Sequence, residues 1–201
     1  MKEQKATNVV WHEHKVTRQD RESLLKQKGV VIWLTGLSGC GKSTIANEVA
    51  YKLHKMGKLA YVLDGDNIRH GLNKDLAFSP EDRNENIRRI SEVAKLFADA
   101  GFVTLTAFIS PYRKFRNFCR ELAGPGRFFE VYVKASIETC EKRDTKGLYK
   151  KAKEGIIKDF TGINAPYEEP DAPELVVDTD IETVEESVEK VLTILKKQKI
   201  I

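Results

Sequence analysis

Val30-Val31-Ile32-Trp33-Leu34-Thr35 runs directly into Gly36-Leu37-Ser38-Gly39-Cys40-Gly41-Lys42-Ser43-Thr44, and the reading of this stretch decides the fold. The first six residues are apolar or β-branched without alternation, the pattern of a strand buried on both faces. The next eight fit G-x-x-x-x-G-K-[ST] without a mismatch, and a helical stretch from Ser43 to Met56, closed by Gly57, follows. Glycines let such a loop curl so that successive N–H groups point at phosphate oxygens, while the helix amino terminus adds favourable partial charge. Gly36 to Thr44 is therefore the expected purine-nucleotide-binding segment, the ATP-binding one in a kinase, with Lys42 reaching the β- and γ-phosphates and Ser43 holding Mg²⁺. Cys40 lies inside the loop and is read as a spectator thiol.

Outward from the loop, strand and helix alternate. Leu59 to Leu63 reads as a second buried strand, ending at Asp64-Gly65-Asp66. Pro80 to Ala100 is the clearest helix: Pro80 suits its first turn, Gly101 its end, and Ile87, Ile90, Val93, Ala94, Phe97 and Ala98 form one stripe. Phe102 to Ile109 and Phe128 to Val133 are strand candidates separated by a helix from Tyr112 to Leu122, which Gly124-Pro125-Gly126 breaks. Leu175 to Val177 is a short fifth strand. A last helix carries Val184, Val188, Val191, Leu192 and Leu195 on one face, with acids early and lysines late, as the helix dipole favours. The expected fold is α/β, a three-layer phosphate-loop NTPase-type domain with a parallel sheet of about five strands between helices. Residues 1–28, polar apart from Val9, Val10 and Trp11, read as an arm preceding a domain over 29–201.

The 201 residues suffice for one such domain, and 41% hydrophobic content can fill its core. Lys+Arg 34 against Asp+Glu 30 leaves +4, too small an excess to point to nucleic acid. The longest apolar run, Val30 to Leu34, is far below a membrane span, and the amino terminus lacks the apolar core of a signal peptide. Cys40, Cys119 and Cys140 lack C-x-x-C spacing, so reduced thiols in a cytoplasm are expected. His12 and His14 have no third ligand placed by spacing and read as arm residues.

A phosphate loop names a nucleotide, not a reaction. Asn73-Lys74-Asp75-Leu76 misses the guanine-reading N-K-x-D by one position, and Asp144-Thr145-Lys146-Gly147 matches D-x-x-G but follows a helix-like segment. A small-molecule kinase remains, with a nucleotide-switch protein as the non-enzyme alternative. Two acids at a strand end beside the loop, Asp64 and Asp66, can hold hydrated Mg²⁺ or receive an acceptor proton. The segment Leu63-Asp64-Gly65-Asp66-Asn67-Ile68-Arg69-His70-Gly71 narrows the choice. So do Phe78-Ser79-Pro80-Glu81-Asp82-Arg83-Asn84-Glu85-Asn86, Phe108-Ile109-Ser110-Pro111-Tyr112-Arg113, Arg143-Asp144-Thr145-Lys146-Gly147-Leu148-Tyr149 and Phe160-Thr161-Gly162-Ile163-Asn164.

Together with the loop, these blocks resemble the adenylyl-sulfate kinase family from about Asn8 to the carboxyl end, in stand-alone form. The resemblance implies transfer of the ATP γ-phosphate to the ribose 3′-hydroxyl of adenylyl sulfate, giving 3′-phosphoadenylyl sulfate in sulfate assimilation, and a homodimer. Ile156 and Asn164 depart from the usual pattern, where many members carry Glu and Asp. By resemblance, Asp66, Asn67, Ile68, Arg69, Arg83, Asn86, Ile109, Ser110 and Lys146 contact the acceptor, and Phe78 and Phe160 sandwich its adenine, with core packing as the alternative for both rings. Lys42, Asp66 and Ser110 are the expected catalytic set, and Ser43 and Asp64 the metal side. The family position of Ser110 is sometimes assigned a phosphoserine; direct in-line transfer is the reading preferred here. From Lys142 to Lys158 seven basic residues stand against two acids, and 144–165 resembles a lid that closes over both anionic substrates.

Overall fold

The run at residues 30–35 lies in the middle of a five-stranded parallel sheet. The computed structural model describes residues 6–201. Helix α1 (Arg18–Leu25) precedes strand β1 (Val30–Thr35), helix α2 (Lys42–Lys55), strand β2 (Ala60–Asp64), and helices α3 (Gly65–Arg69) and α4 (Pro80–Asp99). Then come β3 (Val103–Ala107), α5 (Arg113–Ala123), β4 (Phe128–Lys134), α6 (Ile137–Lys142), α7 (Leu148–Lys153), β5 (Leu175–Asp178) and α8 (Val184–Lys197). The strand order is β2-β3-β1-β4-β5.

Side chains alternate along a strand, so β1 serves two cores. Val30, Ile32 and Leu34 join Ile45, Val49 and Leu53 of α2 and Val188, Val191, Leu192 and Leu195 of α8. Val31 and Trp33 join Ile87, Ile90, Ala94 and Ala98 of α4 and Cys119 of α5. All six β1 residues are buried, which is why the run does not alternate. Burying each large aliphatic side chain contributes roughly 1.5–3 kcal/mol. At the carboxyl end of β1, the neighbours are β3 on one side and β4 on the other. Loops leaving a parallel sheet at such a reversal of strand order diverge and open a crevice. The phosphate loop stands there.

The arm expected over 1–28 is partly folded. Arg18–Leu25 is a helix with a capping box between Thr17 and Asp20. It is tied to the domain by Arg18 and Arg21 on Asp99, by Glu22 on Arg127, and by Gln27 Nε2, which donates to the Leu59 and Gly101 carbonyls at 2.8 Å each. No residue of α1 is buried, so it carries no apolar stripe for a periodicity reading to find. Residues 1–5 of that arm lie outside the described residues; Val9, Val10 and Trp11 are exposed. Among the described residues, no helix is long and apolar enough to cross a membrane, and Cys40, Cys119 and Cys140 are buried free thiols.

Candidate active site

The donor loop is shaped by backbone. Gly36, Gly39 and Gly41 have φ of 150°, 79° and 104°. A Cβ on Gly36 would press on the Val133 carbonyl, and one on Gly39 would stand 2.9 Å from the Cys140 carbonyl oxygen. Both positions therefore require glycine on conformation and on space. Lys42, buried at the start of α2, donates from Nζ to the Gly36 and Leu37 carbonyls at 2.9 and 2.6 Å. Its charge is thus held within the curl of the loop. Behind the loop, Thr179 Oγ1 donates to the Cys40 carbonyl at 3.0 Å, and Arg143 binds the Thr179 hydroxyl and carbonyl at 3.0 and 2.7 Å.

The two residues expected at a metal meet directly: Ser43 Oγ donates to Asp64 Oδ2 at 2.6 Å. Asp64 Oδ1 also accepts the Asp66 backbone N–H at 2.9 Å and so caps α3. A hydroxyl and a carboxylate oxygen side by side are hard donors of the kind Mg²⁺ takes alongside substrate phosphates, so this donor set fits the ion.

The side chains expected on the acceptor side come from several elements. Asp66, in the first turn of α3, forms an exposed ion pair with Lys146, just before α7. Arg69 and Arg83 stand over the Phe78 ring with Cζ 4.4 and 5.7 Å from its centroid. Burial lowers the pKa of both guanidinium groups, and for Arg69 the neighbouring charge of Arg83 adds to this. Two partly desolvated cations flanking one ring favour an anion at that spot. Asn86 is buried, its Oδ1 accepting from Asn73 Nδ2 at 2.9 Å; Asn67 is exposed and Ile68 packs on the second core.

Phe78 and Phe160 differ. Phe78 is 62% exposed, whereas Phe160 is 7% exposed and meets Tyr149 edge-on, centroids 4.9 Å apart. In this structure the Phe160 ring packs in the first core, within 144–165, while the Phe78 ring stands in solvent. Asn164, one of the departures from the family pattern, accepts the Phe160 N–H at 2.5 Å and holds that turn.

Ser110 is buried, with φ 41°, among groups the sequence did not single out. Trp33 Nε1–H donates to its Oγ at 3.0 Å, and its own hydroxyl donates to Thr35 Oγ1 at 3.1 Å. Thr35 in turn donates to the Ile109 carbonyl at 2.7 Å. The Ser110 carbonyl accepts from Arg116, whose guanidinium also binds Glu130 at 2.6 Å as a buried ion pair. Arg116, Glu130 and Thr179 lie behind these residues without motif spacing to announce them, whereas Arg143 and Tyr149 belong to a quoted block but are given no role there. The only sequence signal was the charge of Arg116 and Glu130 inside otherwise apolar segments.

The adenylylsulphate kinase family pattern matches residues 28–178. The adenylyl-sulfate kinase of Clostridium acetobutylicum is 58% identical over 201 residues, the whole length of both chains. That of Staphylococcus carnosus is 56% identical over 197 residues, 98% of this chain and 99% of its own. The structure of the Mycobacterium tuberculosis APS kinase in complex with AMPPNP and APS superposes with a TM-score of 0.80 at 47% identity, covering 85% of this chain and 99% of that one. With the phosphate loop at the sheet reversal and full-length identity of this order, the chain belongs to the adenylyl-sulfate kinase family.

Proposed function

We propose that this ATP-dependent phosphotransferase attaches the γ-phosphate of ATP to the ribose 3′-hydroxyl of adenylyl sulfate. The observation that carries the reading is the contact of the two halves at one place: Ser43 of the donor loop bonded to Asp64, and Asp66 two residues on paired with Lys146. The loop N–H groups and Lys42 hold the donor phosphates and take up charge as the bond from the γ-phosphorus to the bridging oxygen breaks. The 3′-oxygen bonds to that phosphorus, and its proton passes to the Asp66 carboxylate. Arg69 and Arg83 hold the anionic phosphosulfate, with Asn67, Ile68, Asn86 and Ile109 lining the acceptor side and Phe78 offering a face to its adenine. Ser110 orients the Ile109 region. Ser43 and Asp64 would hold Mg²⁺, which when bound neutralises phosphate charge.

The segment 144–165 serves as a lid over both anions, and the kinase domain spans 29–201. A homodimer belongs to the reading by family resemblance, and a cytoplasmic location is supported by three free buried thiols. The test is ADP release from ATP and Mg²⁺ with adenylyl sulfate, AMP, nucleosides or sugars as acceptor. Turnover with adenylyl sulfate alone, giving the 3′-phosphorylated product, is expected. Equal turnover with another acceptor, or none with adenylyl sulfate, overturns the assignment.

A further inference from the structure

Tyr149 sits in the first turn of α7, 2% exposed, and its hydroxyl donates to the Ser38 carbonyl at the crest of the donor loop at 2.8 Å. Burial pushes the phenol pKa up, so the hydroxyl stays protonated and donates. Three residues earlier, Lys146 pairs with Asp66 on the acceptor side. The short turn between them is fixed: both carboxylate oxygens of Asp144 are used, one accepting the Leu148 N–H at 3.0 Å and the other the Tyr149 N–H at 2.8 Å. The far end of the same segment also rests on the loop, since a Cβ on Gly162 would stand 2.9 Å from Leu37 Cδ2.

We infer that Tyr149 is a positioning residue that couples the two substrate sites, transmitting occupancy of the donor loop to Lys146 on the acceptor side. The inference rests on the functional reading above. The Ser38 carbonyl and the Gly39 N–H belong to one planar peptide, so an anion accepting from that N–H polarises the carbonyl into a better acceptor. A stronger bond to Tyr149 holds the α7 turn, and with it Lys146, in the geometry that meets the acceptor. Tyr149 touches neither substrate in this scheme.

Coupling between sites is reciprocal and is measured as a ratio of affinities. Adenylyl sulfate is titrated calorimetrically with and without a saturating non-hydrolysable ATP analogue, for the wild-type chain and for Tyr149→Phe, with thermal melts alongside. The wild-type ratio is expected to exceed one, and Tyr149→Phe to lower it by about three- to tenfold, the effect of one hydrogen bond. Analogue affinity measured alone should fall by no more than that factor, since a bond that donor binding strengthens also favours donor binding, and the melting temperature should be nearly unchanged because the ring remains packed. An unchanged ratio in the variant, or a wild-type ratio of one, overturns the coupling role. Equal weakening of both affinities with a lowered melting temperature also overturns it, in favour of packing. No acceptor binding by the wild-type chain overturns the functional reading first, and the coupling with it.

Discussion

The donor loop from Gly36 to Ser43 is fixed from behind, with the Val133 and Cys140 carbonyls pressing on its glycines and the Tyr149 and Thr179 hydroxyls donating to its Ser38 and Cys40 carbonyls. The residues expected on the acceptor side are the reverse: Asp66 and Arg69 come from α3, Arg83 from α4, and Phe78 and Lys146 from loops, and Asp66, Phe78 and Lys146 are largely exposed. Exposed ion pairs add little to stability. Acceptor residues can therefore be changed with the fold intact, while the donor loop depends on glycines that accept no substitute. Charge removed from the donor side should abolish chemistry; groups removed from the acceptor side should separate binding from turnover.

The largest effect is expected for Lys42→Ala. A cation placed on a transferring phosphoryl group is worth about 10³- to 10⁵-fold in rate, and turnover should fall by that order. Nucleotide should still bind weakly through the loop N–H groups, which a titration with ATP would detect. Near-normal turnover would remove the loop from the reaction and erase the contrast between the two halves.

Asp66→Asn comes next. A general base contributes about 10²- to 10⁴-fold, and the exposed site leaves folding untouched, so kcat should fall by that order at an unchanged melting temperature. A loss below tenfold would move the proton to Asp64, which already accepts from Ser43 and from the Asp66 backbone.

The donor half was legible because its residues are consecutive and its pattern has one physical use. β1, α2, α4 and α8 were legible for the same reason, each carrying a continuous or 3.6-periodic apolar signal. Boundaries moved by one or two residues, as when β2 ended on Asp64 rather than Leu63. The polar-faced α1 was missed because contacts with Asp99, Arg127, Leu59 and Gly101 hold it, and such tertiary pairs have no sequence period. The acceptor half could be named only by resemblance, since Asp66, Arg83 and Lys146 are brought together by the sheet and not by spacing. Phe160 illustrates the limit: its place beside Thr161-Gly162 allows either a clamp or a core ring, and its burial against Tyr149 is a tertiary contact that no spacing carries.

The two rings sharpen the comparison. Phe160→Ala should cost about 3–5 kcal/mol of stability, the usual price of a buried aromatic, and weaken donor and acceptor together. Phe78→Ala should leave the melt unchanged and weaken adenylyl sulfate alone, by about 5- to 150-fold if one base stacks on that ring. Separate titrations of each nucleotide beside a thermal melt measure both. Acceptor-only loss with an unchanged melt in Phe160→Ala would make Phe160 the clamp after all and extend the acceptor side into the core.

The smallest effect on turnover is expected for Ser110→Ala. A serine nucleophile needs a neighbouring base and an open path to the phosphorus. The Ser110 hydroxyl has neither: it is 2% exposed, its oxygen accepts from the Trp33 indole, and its proton goes to Thr35, itself committed to the Ile109 carbonyl. Forming a phosphoester there would break the bond to Thr35 and drive a dianion into the space beside Trp33. The hydroxyl thus orients the Ile109 turn, and direct in-line transfer needs nothing more from it. Removing it leaves the Trp33 N–H unpaired, costing about 1–3 kcal/mol of stability, while turnover at saturating substrates should stay within about tenfold of wild type. No acid-stable labelled serine should form from γ-labelled ATP. A loss beyond a hundredfold at an unchanged melting temperature would place Ser110 in the chemistry. So would a labelled serine that discharges to adenylyl sulfate, and the acceptor half would then contain a covalent relay.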